Sequence, residues 1–337
     1  MPKDFATLTP QSQRRRLQTL AQSALAHYDL RVRRCTRVGD STNLIYRVDT
    51  ADGRQLALRL ATPGWRTLND LQAEALWLEA LARDTDLCMP NIVRAKNGEA
   101  VITTSADGIP APRYATLMTW LPGPLLSKHL TETNLVKMGN LFARMQIHGK
   151  TWQPPAGFAA GRFVRKYSRG EPDVLFDEAQ MDAFTPRTLA ILQRVRDNVD
   201  AAYANMDPAD LRVIHCDLWH ANIKVHQGRL CPFDFEDTIW GYRLHDIAMA
   251  LLDLLEVVGN ERYVVLLAAF KRGYTAHLPW PDGDLTTLQM GRYLWKLNYV
   301  ARRERVYLGK FVAYCAGLFE HALAQGQMVF AAKGWGV

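Results

Sequence analysis

The chain has 337 residues, 48% hydrophobic and 22% charged, with a formal net charge of +7 and a pI near 9.2. That length predicts about two domains with ample core, and the composition excludes disordered and fibrous classes. No apolar run is long enough to span a bilayer, and the polar residues 1–16 lack a signal core, so the reading is cytoplasmic with no membrane partner. A basic surface fits nucleic acid or an anionic small substrate. Runs such as Arg14-Arg15-Arg16 and Arg302-Arg303 come with no nucleic-acid motif and read as solvated faces, so no nucleic-acid partner is expected. The five cysteines (Cys35, Cys88, Cys216, Cys231, Cys315) show no metal-ligand spacing and read as free thiols in a reducing compartment.

Thr9-Pro10 reads as an N-cap with proline at the first helical position, and Leu17, Leu20, Ala21, Ala24 and Leu25 predict an amphipathic helix over 10–28. Three antiparallel strands follow, ending at Val38, Val48 and Leu60, with Gly39-Asp40-Ser41-Thr42-Asn43 between the first two. Backbone N–H groups of such a loop can cradle phosphate, although one glycine among small polar residues is also an ordinary turn. In the third strand Leu56, Leu58 and Leu60 alternate with Ala57 and Arg59. Arg59 then faces either a cleft or, as an edge-strand charge, solvent. Residues 66–84 read as a helix buried along Leu68, Leu71, Ala75, Leu78 and Leu81, with Glu74 and Glu79 off that stripe.

Strands are predicted at 100–104 and 114–120, and Leu121-Pro122-Gly123-Pro124 marks a boundary between residues 1–121 and 122–337. Beyond it the pattern is helical at 131–150, 180–205, 246–258, 263–274, 285–305 and 311–330. Residues 151–175 form an irregular stretch rich in Gly, Pro and aromatics, a candidate for approaching substrate.

The densest chemistry lies in residues 213–237. Asp217 and Asn222 follow the apolar Val213-Ile214, and Asp234 sits in a second apolar run twelve residues after Asn222. Gln227-Gly228 between them predicts a hairpin that returns Asp234 toward Asn222. A carboxylate and a carboxamide together offer the hard oxygen ligands that suit Mg²⁺, with Asp217 beside them as a base.

His215-Cys216-Asp217-Leu218-Trp219-His220-Ala221-Asn222 is an H-x-D-x-x-x-x-N pattern, followed by Phe233-Asp234-Phe235-Glu236 and then Asp246-Ile247-Ala248 opening a helix. With looser matches at Gly39-x-x-x-Asn43-x-x-Tyr46-x-Val48 and Leu56-Ala57-Leu58-Arg59, the chain resembles the aminoglycoside phosphotransferase/choline-kinase-like superfamily over roughly residues 32–258. The resemblance implies an α+β, protein-kinase-like bilobal fold with a small antiparallel-sheet N-lobe and a larger, mostly helical C-lobe. It implies an ATP- and Mg²⁺-dependent phosphotransferase with a small-molecule hydroxyl acceptor. By resemblance Asp217 takes or orients the hydroxyl proton, while Asn222 and Asp234 bind Mg²⁺. Arg59, paired with Glu74, holds the phosphates beside the Gly39, Ser41 and Asn43 loop. Met118 to Leu121, including Trp120, form the adenine hinge. Asp246 and His215 are expected to brace the catalytic loop.

Two positions depart from the pattern. No lysine lies between Lys3 and Lys96, so Arg59 stands where these kinases place lysine, a planar fork in place of a point charge. Cys216 stands where the family often has glycine and reads as a tolerated small thiol. Lys296, Arg302, Arg303, Arg305 and Lys310 crowd one helical region, which points to a neutral or anionic acceptor such as a sugar, an amino alcohol acid or a phosphorylated metabolite. Two alternatives stay open: a Ser/Thr protein kinase of the small bacterial type, and a nucleotide-binding pseudokinase module. Asp234 and Asp246 are only twelve residues apart with no A-P-E after them, which leaves little room for a peptide-binding segment.

Overall fold

A computed structural model describes residues 5–39, 42–167, 169–303 and 305–330. The chain forms two compact units. One runs up to Gly123 and takes in Gln153–Ala160 and Cys231–Glu236; the other holds Pro124–Trp152, Gly161–Leu230 and the chain from Asp237 onward.

The first unit opens with α1 (Pro10–Leu25), capped by the Thr9 hydroxyl accepting the Ser12 N–H. Its sheet contains β1 (Val32–Gly39), β2 (Leu44–Thr50), β3 (Gln55–Leu60), β4 (Val101–Thr104) and β5 (Arg113–Thr119), in the order β1-β2-β3-β5-β4. Every neighbouring pair is antiparallel. Leu56, Leu58 and Leu60 turn with Tyr46 and Val48 onto Leu20, Ala21 and Ala24 of α1. Each leucine buried this way contributes about 1.5–3 kcal/mol. α2 (Leu68–Asp84) starts at a Thr67–Asp70 capping box and buries Leu71, Trp77, Leu78 and Leu81. β3 lies inside the sheet, and Arg59 on it is only 3% exposed, so the solvent-facing edge reading does not hold.

Cys88 and Cys231 of this unit form a disulfide with Cα atoms 4.7 Å apart. This corrects the reading of five free thiols, since no spacing motif signals partners 143 residues apart. The reducing-compartment argument built on those thiols does not hold for this pair. Cys35, Cys216 and Cys315 remain free.

The second unit is mostly helical: α3 (Glu132–Thr151), α4 (Pro186–Ala204), α5 (Arg243–Val258), α6 (Asn260–Thr275), α7 (Leu285–Arg303) and α8 (Arg305–Gln325). α3 and α6 approach closely because Gly139 and Gly273 face each other's helix. A Cβ at Gly139 would overlap the Phe270 carbonyl, and one at Gly273 the Val136 carbonyl. Short strands complete it: β6 (Arg212–Ile214) pairs with β9 (Ile239–Gly241), and β7 (Ile223–His226) pairs with β8 (Arg229–Pro232), whose last two residues belong to the first unit. Gln227 and Gly228 both have positive φ (49° and 74°), the left-handed pair that a two-residue hairpin turn needs. No helix among the described residues is long and apolar enough to cross a membrane.

Candidate active site

In the sheet-bearing unit, β3 carries Arg59 inward and α2 carries Glu74, which is fully buried. Arg59 Nη1 donates to Glu74 Oε1 at 2.9 Å and Nη2 donates to Oε2, a bidentate pair. Arg59 Nη1 also lies 3.7 Å from Asp234 Oδ1 and 3.8 Å from Glu236 Oε2. Burial pulls the guanidinium pKa down, but Glu74, Glu236 and Asp234 more than offset it and hold the group above the ordinary arginine value. One cation therefore meets three carboxylates.

Asp234 has φ 65°, a left-handed conformation that costs a non-glycine residue about 1–2 kcal/mol. Its side chain is 39% exposed, whereas Glu236 is buried. Asn43 Nδ2 donates to Glu236 Oε2 (2.5 Å) and Trp65 Nε1 to Oε1 (3.0 Å), while Asn43 Oδ1 accepts the Thr62 N–H (3.2 Å). The Asn43 amide is thus engaged in anchoring its loop to the segment that carries Asp234. Gly39 ends β1 at a register shift. Ser41 lies outside the described residues. Met118 of β5 pairs with Ala57 of β3 and is bridged to Ile92, and the Trp120 N–H donates to Gln55 O at 2.9 Å.

In the helical unit, β6 leads into the loop that bears Asp217. Gly149 of α3 fits against β6, since a Cβ there would overlap the Val213 carbonyl. Cys216 takes φ 66°. Its N–H donates to Asp246 Oδ1 at 2.8 Å, and Asp246 Oδ2 accepts Gln146 Nε2 at 3.0 Å. Tyr274 OH donates to Gln146 Oε1 at 2.7 Å. The chain Tyr274–Gln146–Asp246 thus fixes the backbone one residue before Asp217. Burial raises the Asp246 carboxyl to about 6, against the pull of its bonds from Gln146 and Cys216. The Asp217 N–H donates to His215 Nδ1 at 3.3 Å. His245 contacts Cys216 Sγ through Nε2 (3.7 Å) and Tyr203 OH through Nδ1 (2.7 Å). Burial pushes the Cys216 thiol pKa up, which fits a packed thiol and not a nucleophile.

Asn222 Nδ2 donates to both Asp217 O (2.9 Å) and Asp217 Oδ2 (2.8 Å). Both amide hydrogens are then used, which leaves the carboxamide oxygen of Asn222 for a cation. Among the described residues no group of three or more His, Cys, Asp or Glu could hold a metal ion. Two side-chain oxygens suffice for Mg²⁺, which takes one or two protein ligands and fills its sphere with phosphates and water. The Asn222 carboxamide oxygen of one unit and the exposed Asp234 carboxylate of the other are each hard donors of the kind that suits that metal.

Several supporting residues had no assigned role in the sequence reading. Gln146 had a signal, as a polar residue one turn past Phe142 on the α3 core stripe. Glu236 was visible in F-D-F-E without a role. Tyr203 and His245 gave no local sign. Asp246→Ala is expected to cost about 2–4 kcal/mol, because it leaves the Cys216 N–H and the Gln146 amide without acceptors. Urea denaturation and ADP release measure the two consequences, lost stability and a lower kcat; unchanged stability would contradict the bracing role.

The sheet-bearing and helical units, each carrying one of these residue sets, define the class: an α+β, kinase-like phosphotransferase fold. Residues 34–283 match the model of the phosphotransferase enzyme family, and the chain belongs to that family. It is thus a kinase that acts on hydroxyl groups. Over 310 residues (87% of this chain and 78% of the relative) it is 26% identical to an uncharacterised protein of Synechocystis sp.. Among solved structures it is similar to a microcompartment-associated aminopropanol kinase (21% identity, 92% of this chain and 98% of that one, TM-score 0.73). It is also similar to an amicoumacin kinase in complex with AMP-PNP, Ca²⁺ and Ami (16%, 92% and 96%, TM-score 0.72). A spectinomycin phosphotransferase in complex with ADP and spectinomycin matches at 12% identity (90% and 98%, TM-score 0.57). At these identities the structural matches speak for the fold.

Proposed function

We propose that the protein transfers the γ-phosphoryl group of ATP to a hydroxyl of a small neutral or anionic metabolite. The observation that carries this is the Asp217–Asn222 pair, on a loop whose Cys216 N–H is held by Asp246; phosphoryl transfer relies on positioning of this kind. Asp217 accepts the hydroxyl proton as the acceptor oxygen attacks phosphorus and ADP departs. Asn222 and Asp234 would hold Mg²⁺, which neutralises phosphate charge when bound. Arg59, fixed by Glu74, supplies the remaining positive charge on the nucleotide side. Complexes of the similar kinases with AMP-PNP or ADP support nucleotide use. The stretch from Asp234 to Asp246 holds only a 3-10 turn (Phe235–Asp237), β9 and the first turn of α5, which favours a small acceptor over a peptide.

Magnesium-dependent ADP release, screened over hydroxylated metabolites with Asp217→Asn as the blank, tests this. Turnover with at least one acceptor, lost in the variant, is expected. ATP binding with no turnover for any acceptor would instead favour a nucleotide-binding module.

A further inference from the structure

α7 places Arg292, Trp295, Lys296 and Tyr299 on one face, at spacings of three, four and seven. α5 places Asp253 two helical turns after Asp246, about 10 Å along the axis. Most charges around these faces are matched. Lys296 Nζ and Tyr293 OH both donate to Glu256 Oε1 (3.1 and 2.8 Å). Arg169 pairs with Asp237 at 3.0 Å, and Glu171 accepts from Trp295 Nε1 (3.2 Å) and the Arg169 N–H (2.8 Å). Asn298 on α7 ties down the neighbouring loop, accepting the Val174 and Leu175 N–H groups (2.9 and 3.2 Å) and donating to Pro172 O (3.0 Å).

On these two helix faces Arg292 and Asp253 are half-buried and have no hydrogen bond or ion pair among the described residues. The Arg292 guanidinium lies over the Trp295 ring, 4.6 Å from its centroid. Stacking fixes its plane and leaves its N–H edge to meet an anion. Gln289, three residues before Arg292, donates to Ala248 O of α5 at 3.5 Å. This part of α7 therefore lies along α5 just past Asp246, which holds the Cys216 N–H of the loop that carries Asp217. Arg292 also acts electrostatically on Cys216 and His245. Asp253 feels Lys296 and Arg292, which puts it in the same neighbourhood, and burial raises its carboxyl to about 6, leaving it mostly ionised at neutral pH. Charges held half-buried without partners are costly unless something else satisfies them.

We propose that Arg292 and Asp253 select the acceptor, and that the acceptor is a hydroxy-amino acid whose carboxylate meets Arg292 and whose ammonium meets Asp253. This rests on the phosphotransfer reading above and narrows its neutral or anionic acceptor to a zwitterion. The acceptor's hydroxyl oxygen bonds to the γ-phosphorus of ATP, the bond to the bridging oxygen of ADP breaks, and the hydroxyl proton passes to Asp217. A carboxylate and an ammonium on one small molecule match one free cation and one free anion, where an amino alcohol or a hydroxy acid would leave one of them unanswered.

The test compares hydroxy-amino acids with their amino-alcohol and hydroxy-acid counterparts, each lacking one charged group, in the ADP-release assay. Hydroxy-amino acids are expected to exceed both counterparts in kcat/KM by about 100-fold. Arg292→Gln should raise their KM by about 10–100-fold with kcat nearly unchanged, and Arg292→Lys should restore part of the loss. Asp253→Asn should raise KM for the hydroxy-amino acids and leave KM for the hydroxy acids unchanged. Equal use of all three series, or variants with unaltered KM, overturns the proposal. Titration calorimetry of the same compounds against the full chain reads the site without chemistry, and no binding of any hydroxy-amino acid also overturns it. If another alcohol is then phosphorylated in an Asp217-dependent way, the kinase reading stands while this proposal falls.

Discussion

Replacing Asp217 by asparagine is expected to lower kcat by about 10²–10⁴-fold, the range that a positioned proton acceptor contributes. The substitution isolates the base from the scaffold. Asn222 Nδ2 bonds to both the backbone carbonyl and the carboxylate of Asp217, and an asparagine oxygen can accept the second bond as the carboxylate does. The Cys216 N–H stays on Asp246 and the Asp217 N–H stays on His215, since neither bond uses the Asp217 side chain. KM for ATP and the melting temperature should therefore move little. Steady-state ADP release with a thermal melt separates the outcomes: a loss in kcat below about threefold would show that Asp217 is not the proton acceptor. A fall in stability would show that its charge braces the loop.

How far the site could be seen in the sequence depended on whether a residue's role was local. Asp217, Asn222, Asp234 and Asp246 stand at fixed spacings in one stretch of chain, because the loop, hairpin and helix that carry them are consecutive. The alternation around Arg59 was equally plain, yet it left two readings, since a strand's pattern does not say whether it lies inside a sheet. Position between β2 and β5 decides that. Glu74 lay off the predicted apolar stripe because the periodicity of α2 tracks hydrophobic residues, whereas Glu74 is buried as the partner of Arg59. Contacts across long separations gave no signal: the Cys88–Cys231 disulfide and Asn43 on Glu236, 193 residues away. The count of cations on the later helices did not show which of them are paired. Lys296 is matched by Glu256 and Arg303 donates to the Tyr299 hydroxyl, while Arg292, absent from that count, has no hydrogen bond or ion pair among the described residues. Composition counts charges, and only packing shows which of them have partners.

Glu74→Ala is expected to destabilise the protein by about 3–5 kcal/mol, the cost of leaving one member of a buried ion pair alone. Arg59 is 3% exposed and Glu74 is fully buried, so water cannot take the place of the lost carboxylate. The freed guanidinium would turn toward Asp234 and Glu236, which already lie 3.7 and 3.8 Å from Nη1. Asp234 is the proposed metal ligand, so the same variant should raise KM for Mg·ATP. The double variant Arg59→Met with Glu74→Leu removes both charges and should recover much of the stability, since apolar replacement of a buried pair is often neutral. It should not recover activity, because Asp234 and Glu236 then face each other with no cation between them and the nucleotide. Arg59→Lys separates charge from shape. A lysine keeps the charge but cannot grip both Glu74 oxygens, so intermediate stability is expected with KM for ATP raised. Urea denaturation and ATP kinetics on the three variants decide the matter. A Glu74→Ala cost near the 0–1 kcal/mol of a surface ion pair would mean that the arginine is held by its other carboxylates. Glu74 would then serve the packing of α2, and Arg59 would take its place at the nucleotide from Asp234 and Glu236 instead.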